Sequence, residues 1–350
     1  MEYSNILVRA TNWVGDAVMS LPAVRAVRDR FPAARVSVLA RPSVADLYAR
    51  EGFELIPYTA ARGWRGMGEQ WAAARWLRAR RFDCAILLQN AFEAAALAWA
   101  ARIPERIGYD RDARGWLLTK AVALPKRGEI ADHQRFYYLE LLRRAGIIGR
   151  LPETPEIRLA GLDQARAAGL ALFSQAELGR DVVGVSPGAA YGNAKRWLPE
   201  HFVESAAALS RQLEADVAIF GSRDEASLGD RVAGMLRDRG VRARSFAGAT
   251  SLRDFVDMAA ACRVFLTNDS GAMHIASAAG VPTLAVFGAT DHIATGPTGA
   301  LARVVREPVE CSPCLLRECP IDHRCMTRVL PERVVDVALD LLRTPAGYAG

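Results

Sequence analysis

Short apolar runs of strand length alternate with helix-length amphipathic runs along almost the whole chain, and this alternation restricts the fold more than any other feature. A run at Ile6 to Val8 leads into a helix-period pattern at Val18, Leu21, Val24, Val27 and Phe31, with Pro22 either kinking that helix or marking its true start. Strands are expected at Val36 to Leu39 and Cys84 to Leu88, and helices around Val44 to Arg50 and from Trp64 to Arg81. The second half repeats the pattern. Strands at Val182 to Val185, Val217 to Phe220, Val264 to Leu266 and Thr283 to Phe287 are separated by helices at Pro199 to Leu213, Glu225 to Leu236, Leu252 to Ala260 and Ala272 to Ala279. Strands joined by helices imply parallel sheets covered on both faces, with ligands beyond the carboxyl ends of the strands. The fold class is therefore α/β, with two doubly wound halves.

At 350 residues the chain exceeds what one core usually organises, so two domains are expected: 1–155 and 156–330, parted by the looser stretch Pro152 to Leu162. A closing amphipathic helix near Pro331 to Leu342, within 331–350, could pack back on the first domain. A composition of 51% apolar and 24% charged residues excludes disorder. The longest apolar stretches, such as Ala94 to Ala101, fall short of the ~18 residues a membrane span requires. No basic segment precedes the first short apolar run, so an export signal is not expected and the protein is read as cytoplasmic.

Charge is uneven. Residues 1–150 hold 24 Lys and Arg against 15 Asp and Glu, whereas residues 151–350 hold 21 against 24. A basic first half suits a polyanionic partner: nucleic acid, an anionic membrane surface or a phosphorylated glycolipid. It equally describes Arg-decorated solvated helices. Because only Lys120, Lys126 and Lys195 are lysines, a lysine inside a motif carries information.

The loops after the strands lack both the glycine-rich dinucleotide fingerprint and the phosphate loop with its Gly-Lys pair, which disfavours dehydrogenases and P-loop enzymes. After the first strand the turn delivers Asp16, either a helix-capping carboxylate or a base able to take a proton from a substrate hydroxyl. The stretch Ser186-Pro187-Gly188 through Tyr191-Gly192 to Lys195-Arg196 is small-residue rich and ends in two cations, as a phosphate cradle would. Asn268-Asp269-Ser270-Gly271 opens a helix whose N-terminal N–H groups suit a diphosphate, with His274 about one turn on. Glu225 either binds ribose hydroxyls or serves as a first-turn helix carboxylate.

Three ordered motifs, TNWVGD, SPGAAYGNAKRWLP and TNDSGAMHIASAAGVPTLAVFGATD, resemble the bacterial ADP-heptose:lipopolysaccharide heptosyltransferases, glycosyltransferase family nine, and within it the heptosyltransferase II group. The resemblance runs nearly end to end. It implies GT-B architecture, with two Rossmann-like domains facing across a cleft, and inverting transfer of heptose from ADP-heptose without a catalytic metal. Matched position by position, it implies Asp16 as general base and Lys195 as the phosphate-contacting lysine. Asp269 with Ser270, Gly271 and His274 match its donor-binding signature, and Glu225 more loosely; Ser186 and Gly188, in the small-residue cradle, are donor-side candidates beside them. The implied acceptor is the first heptose of a phosphorylated inner core on lipid A, met at the inner leaflet by a peripheral protein. Arg62, Arg65, Arg111 and Arg114 are candidate anchors for it. Transfer of a first or later heptose is the alternative within the family. Outside it stands a non-catalytic nucleotide-sugar-binding or nucleic-acid-binding protein; the presence of both Asp16 and Lys195 argues against the loss of activity, and the absence of interleaved aromatic RNA motifs against nucleic acid.

Cys311, Cys314, Cys319 and Cys325, with His323 among them, crowd one stretch. Four thiolates could hold a structural zinc, but the spacing departs from paired knuckles and reduced thiols in a compact loop are the other reading. The family it resembles carries similar cysteines with no metal in the reaction, and no cofactor is required. Cys84 and Cys262 read as core residues.

Overall fold

The computed structural model describes residues 2–59, 64–151 and 156–343. The chain divides into two units, Met1–Thr154 and Pro155–Gly350. In the first unit β1 (Asn5–Arg9), β2 (Arg35–Ala40), β3 (Glu54–Pro57), β4 (Cys84–Leu87), β5 (Glu105–Tyr109) and β6 (Lys120–Val122) form one sheet. Its helices are α1 (Val14–Arg30), α2 (Pro42–Arg50), α3 (Trp64–Ala79), α4 (Phe92–Ala100) and α5 (Gln134–Arg144).

The strand order is β3-β2-β1-β4-β5-β6, every pairing parallel. This is the Rossmann order, in which the chain reverses its direction of growth between β1 and β4 and leaves a crevice at their carboxyl ends. Central strands carry apolar residues on both faces because helices cover both. Ile6, Leu7 and Val8 of β1 and Cys84 to Leu87 of β4 are all buried. Helix α1 begins at Val14, so Pro22 lies in its interior rather than at its start. Its buried stripe includes Val18, Leu21, Val24 and Val27.

The second unit contains α6 (Leu162–Gln175), β7 (Val182–Ser186), α7 (Pro199–Leu213), β8 (Asp216–Ile219), α8 (Ala226–Arg237), β9 (Ala243–Ser245) and α9 (Leu252–Ala261). There follow β10 (Val264–Asn268), α10 (Gly271–Ala278), β11 (Thr283–Phe287), α11 (His292–Thr295), β12 (Ala302–Arg306), α12 (Arg324–Thr327) and α13 (Pro331–Arg343). The order β12-β11-β10-β7-β8-β9 is again fully parallel and repeats the topology of the first sheet, with its reversal between β7 and β10. Helix α13 belongs to this second core. Val334, Val335, Ala338 and Leu341 are buried with Phe202 and Met326. Helices α6 and α9 approach so closely that a Cβ on Gly169 would lie 2.1 Å from the carbonyl oxygen of Asp257.

Candidate active site

In the second unit the site residues gather where β7 and β10 end side by side. Ser186 is paired in register with Thr267, and the next residue, Asn268, turns its side chain into the loop that follows β7. Asn268 Oδ1 accepts from the Trp197 backbone N–H at 2.8 Å, while Nδ2 donates to the carbonyls of Pro187 at 2.8 Å and Gly188 at 3.3 Å. All of this is buried, where each unpaired polar group would cost free energy, so one amide fixes the path of the loop at both ends.

That loop delivers Lys195. Its Nζ lies 2.5 Å from Asp269 Oδ2 and 4.8 Å above the Tyr191 ring. Thr290 Oγ1 donates to the same carboxylate oxygen at 2.5 Å. Sequence reasoning assigned Lys195 and Asp269 separately to the donor side; the structure makes them an ion pair, nearly withdrawn from solvent. Such a pair retains a cation beside the sheet mouth at the cost of desolvating both groups.

Ser270 caps α10 through its extended backbone and makes no side-chain bond to the first-turn N–H groups; its Oγ sits 3.1 Å from Thr267 Oγ1. The N–H groups of the α10 first turn, beginning at Gly271, therefore point at the mouth without a side-chain cap from Ser270. His274 lies on the same first turn and is buried.

Glu225 is first a capping carboxylate. Its Oε2 accepts from both the N–H and the hydroxyl of Ser222 at 2.8 Å, in a capping box. The carboxylate also rests against Gly188, where a Cβ would meet Oε1 at 2.0 Å. Gly188 is thus required for that approach, and the structure sets the two residues side by side.

The cysteine segment holds these loops from outside. Arg317 O accepts from Ala194 N–H at 3.0 Å, Leu315 O accepts from the Tyr191 hydroxyl at 2.8 Å, and Cys319 N–H donates to Asn193 Oδ1 at 3.3 Å. On the β11 side, Leu315 N–H donates to Ala289 O at 2.7 Å and Ser312 Oγ to Gly288 O at 2.6 Å. Cys311, Cys314, Cys319, Cys325 and His323 share the wall of one cavity of about 20 Å³. Burial and then the neighbouring thiols push the Cys325 thiol up to about 11. Among the described residues no three His, Cys, Asp or Glu side chains are gathered as a metal's ligands are. Cys84 and Cys262 are buried in the cores.

In the first unit Asp16 occupies the first turn of α1, directly beyond β1. Tyr138 of α5 donates its hydroxyl to Asp16 Oδ1 at 3.2 Å. Tyr138 is buried, and burial with the adjacent carboxylate holds its own pKa well above the usual phenol value, so it remains a donor. Nothing local in the sequence signals this partner, which lies 122 positions away.

The arginines separate sharply. Arg114 is fully buried: Nε donates to Tyr109 O at 3.0 Å, Nη2 to Asn90 Oδ1 at 3.2 Å, and Nη1 to Gln89 O. It is spent on the backbone and is not an anchor for a charged acceptor. Arg111 remains about half exposed, in a loose 3.5 Å pair with Asp112. Arg62 lies outside the described residues, as does the side chain of Arg65.

Residues 70–324 match the model of glycosyltransferase family 9 (heptosyltransferase). The chain belongs to that family. It is 32% identical over 311 residues to lipopolysaccharide heptosyltransferase 2 of Salmonella typhimurium, covering 86% of this chain and 87% of the relative. Identity to lipopolysaccharide heptosyltransferase 2 of Escherichia coli is 33% over 310 residues, with coverage of 86% and 87%. The solved structure of E. coli ADP-heptose lipopolysaccharide heptosyltransferase II matches with a TM-score of 0.80, 29% identity and 98% coverage of both chains. The family-9 chain is thus a glycosyltransferase with the GT-B pair of Rossmann-like units, and its relatives place it with the heptosyltransferases II.

Proposed function

We propose that the chain transfers L-glycero-D-manno-heptose from ADP-heptose, with inversion, to the first heptose of the lipopolysaccharide inner core. The observation that carries this reading is that relatives sharing about a third of its residues over 86% of its length are lipopolysaccharide heptosyltransferases 2. The site chemistry accords with it. Asp16 accepts the proton of the acceptor hydroxyl, whose oxygen forms a bond to the anomeric carbon as the bond from that carbon to the diphosphate oxygen breaks. The departing ADP gathers negative charge, which Lys195 and the open N–H groups of α10 stabilise. An arriving diphosphate competes with Asp269 for Lys195, so donor binding exchanges an internal ion pair for one with the ligand. Ser186, Gly188 and Glu225 are proposed to border the nucleotide, and His274 to support the α10 turn from within.

We propose a cytoplasmic site of action, peripheral at the inner leaflet where a lipid-borne acceptor is exposed. Supporting this are the basic first half and the absence, among the described residues, of any helix long and apolar enough to cross a membrane. The reaction as written uses no metal. The four-thiol segment is proposed to act through the backbone bonds that hold the Lys195 loop, and turnover unchanged after prolonged chelation is the expected result. Activity lost on chelation and restored by zinc would make the cluster a structural zinc site instead.

The deciding experiment measures ADP release from ADP-heptose with a purified inner-core acceptor ending in its first heptose. Asp16→Asn is expected to lower kcat by about 10²- to 10⁴-fold, and Lys195→Met to lower kcat/KM for ADP-heptose. Full turnover by a folded Asp16→Asn protein, or transfer only to a core lacking heptose, would overturn the assignment.

A further inference from the structure

We propose that Phe92 and Trp116 form a stacking ledge for the saccharide of the acceptor, an inference that rests on the reading that the first unit receives a glycan. Strands β1, β4 and β5 lie side by side and parallel, so the segments leaving them emerge at one edge of the sheet. Asp16 follows β1, Phe92 follows β4 and Trp116 follows β5. Trp116 is 72% exposed, more than any other large apolar side chain described, and Phe92 is 45% exposed. Their ring centroids are 6.3 Å apart, with planes tilted by 48°.

The two rings are held there by construction. Buried Arg114 ties the loop after β5 to the loop after β4, through its bonds to Tyr109 O, Asn90 Oδ1 and Gln89 O. Burying a guanidinium is costly unless its N–H groups are satisfied, and here the acceptors are the end of β5 and the loop that leads from β4 to Phe92. Gly115, immediately before Trp116, lies against the Asp110 carboxylate, which a Cβ there would displace, its Oδ1 being 2.3 Å away. Leu117, immediately after it, is buried in the core with Ala95 and Leu97 of α4. The backbone is thus pinned on both sides of a tryptophan that is left pointing into solvent.

An outward aromatic pair at the mouth of a doubly wound sheet suits a ligand with an apolar face and a polar rim. The C–H face of a pyranose is such a ligand. Half-exposed Arg111, on the same loop, supplies a cation for a phosphate on that saccharide. Tryptophan also favours bilayer interfaces, so a membrane role is the competing outcome.

The test uses the full-length chain, ADP-heptose and a de-acylated, water-soluble heptosylated core. Trp116→Ala and Phe92→Ala are each expected to raise the acceptor KM about tenfold, leaving the ADP-heptose KM unchanged, and Trp116→Tyr to restore it. Trp99→Ala serves as the control. This side chain is half exposed on α4 seven residues beyond Phe92, roughly 10 Å further along the helix axis, and the acceptor KM should stay at the wild-type value. An acceptor KM unmoved in both alanine variants overturns the ledge. So does loss of binding to vesicles of anionic phospholipid with no change toward the soluble acceptor, which would assign the pair to the membrane. If the wild-type chain transfers no heptose, the underlying reading fails separately. The ledge is then judged by tryptophan fluorescence: a change on adding the heptosylated core that disappears in Trp116→Phe supports it, and its absence overturns it.

Discussion

Replacing Asn268 by alanine tests whether one buried amide sets the donor loop. The substitution removes three hydrogen bonds and leaves the Trp197 N–H and the carbonyls of Pro187 and Gly188 without their partner, in an environment closed to water. A buried donor stripped of its partner costs about 1–3 kcal/mol, and two carbonyls losing one acceptance each add less, so a destabilisation of about 3 kcal/mol is expected. For a unit of this size that lowers the melting temperature by about 6–12 °C. Asn268→Asp separates hydrogen bonding from packing. The side chain keeps its shape and still accepts from Trp197, but it presents a charged oxygen to two carbonyls, and the loss should equal or exceed that of alanine. Calorimetry measures the shift, and hydrogen exchange localises it: amides around Trp197 should lose protection while those of β1 and β4 keep theirs. An aspartate variant as stable as the parent, or an alanine variant within about 0.5 kcal/mol of it, would refute the reasoning.

Tyr138→Phe deletes the hydroxyl that donates to Asp16 and is expected to lower kcat several-fold without moving the ADP-heptose KM, as read from steady-state kinetics. Gly169→Ala forces a methyl group to within 2.1 Å of the Asp257 carbonyl where α6 meets α9, and urea denaturation should show a loss of about 1–3 kcal/mol or more. Glu54 is held down to about 2, chiefly by Arg35 and then by Ser37 and Arg80. A depressed carboxyl contributes stability above its unfolded pKa and loses it as pH falls toward the folded value, so Glu54→Gln should flatten the stability profile between about pH 4.5 and 2.

Seven of the eight interior strands were legible because burial on both faces writes them as unbroken apolar runs: β1, β2, β4, β7, β8, β10 and β11 all stand where the periodicity placed them, to within two residues. The edge strands β3, β6, β9 and β12 and the interior strand β5 were not. Charges stand in all five, at Glu54, Lys120, Arg244, Arg303 and Arg106, and an edge strand needs little apolar surface and benefits from charges that discourage further pairing. At the site, the stretch from Asn268 to His274 announced itself as a helix opening after a strand. The Lys195–Asp269 pair did not, since 74 positions separate its members and only the parallel pairing of β7 with β10 brings them together. Arg114 was misplaced for a related reason: sequence shows a charge but not the backbone carbonyls that will surround it.

The dependence of the Lys195 loop on the segment from Leu315 to His323 also fixes when it can form. Tyr191, Asn193 and Ala194 take their partners from residues made more than a hundred positions later. At a translation rate of 5–20 residues per second, the Lys195 loop waits roughly 6 to 26 s after Lys195 is joined before His323 is added. The first sheet has every strand in hand before then, so the Tyr138–Asp16 contact can form well before the Lys195 loop is complete.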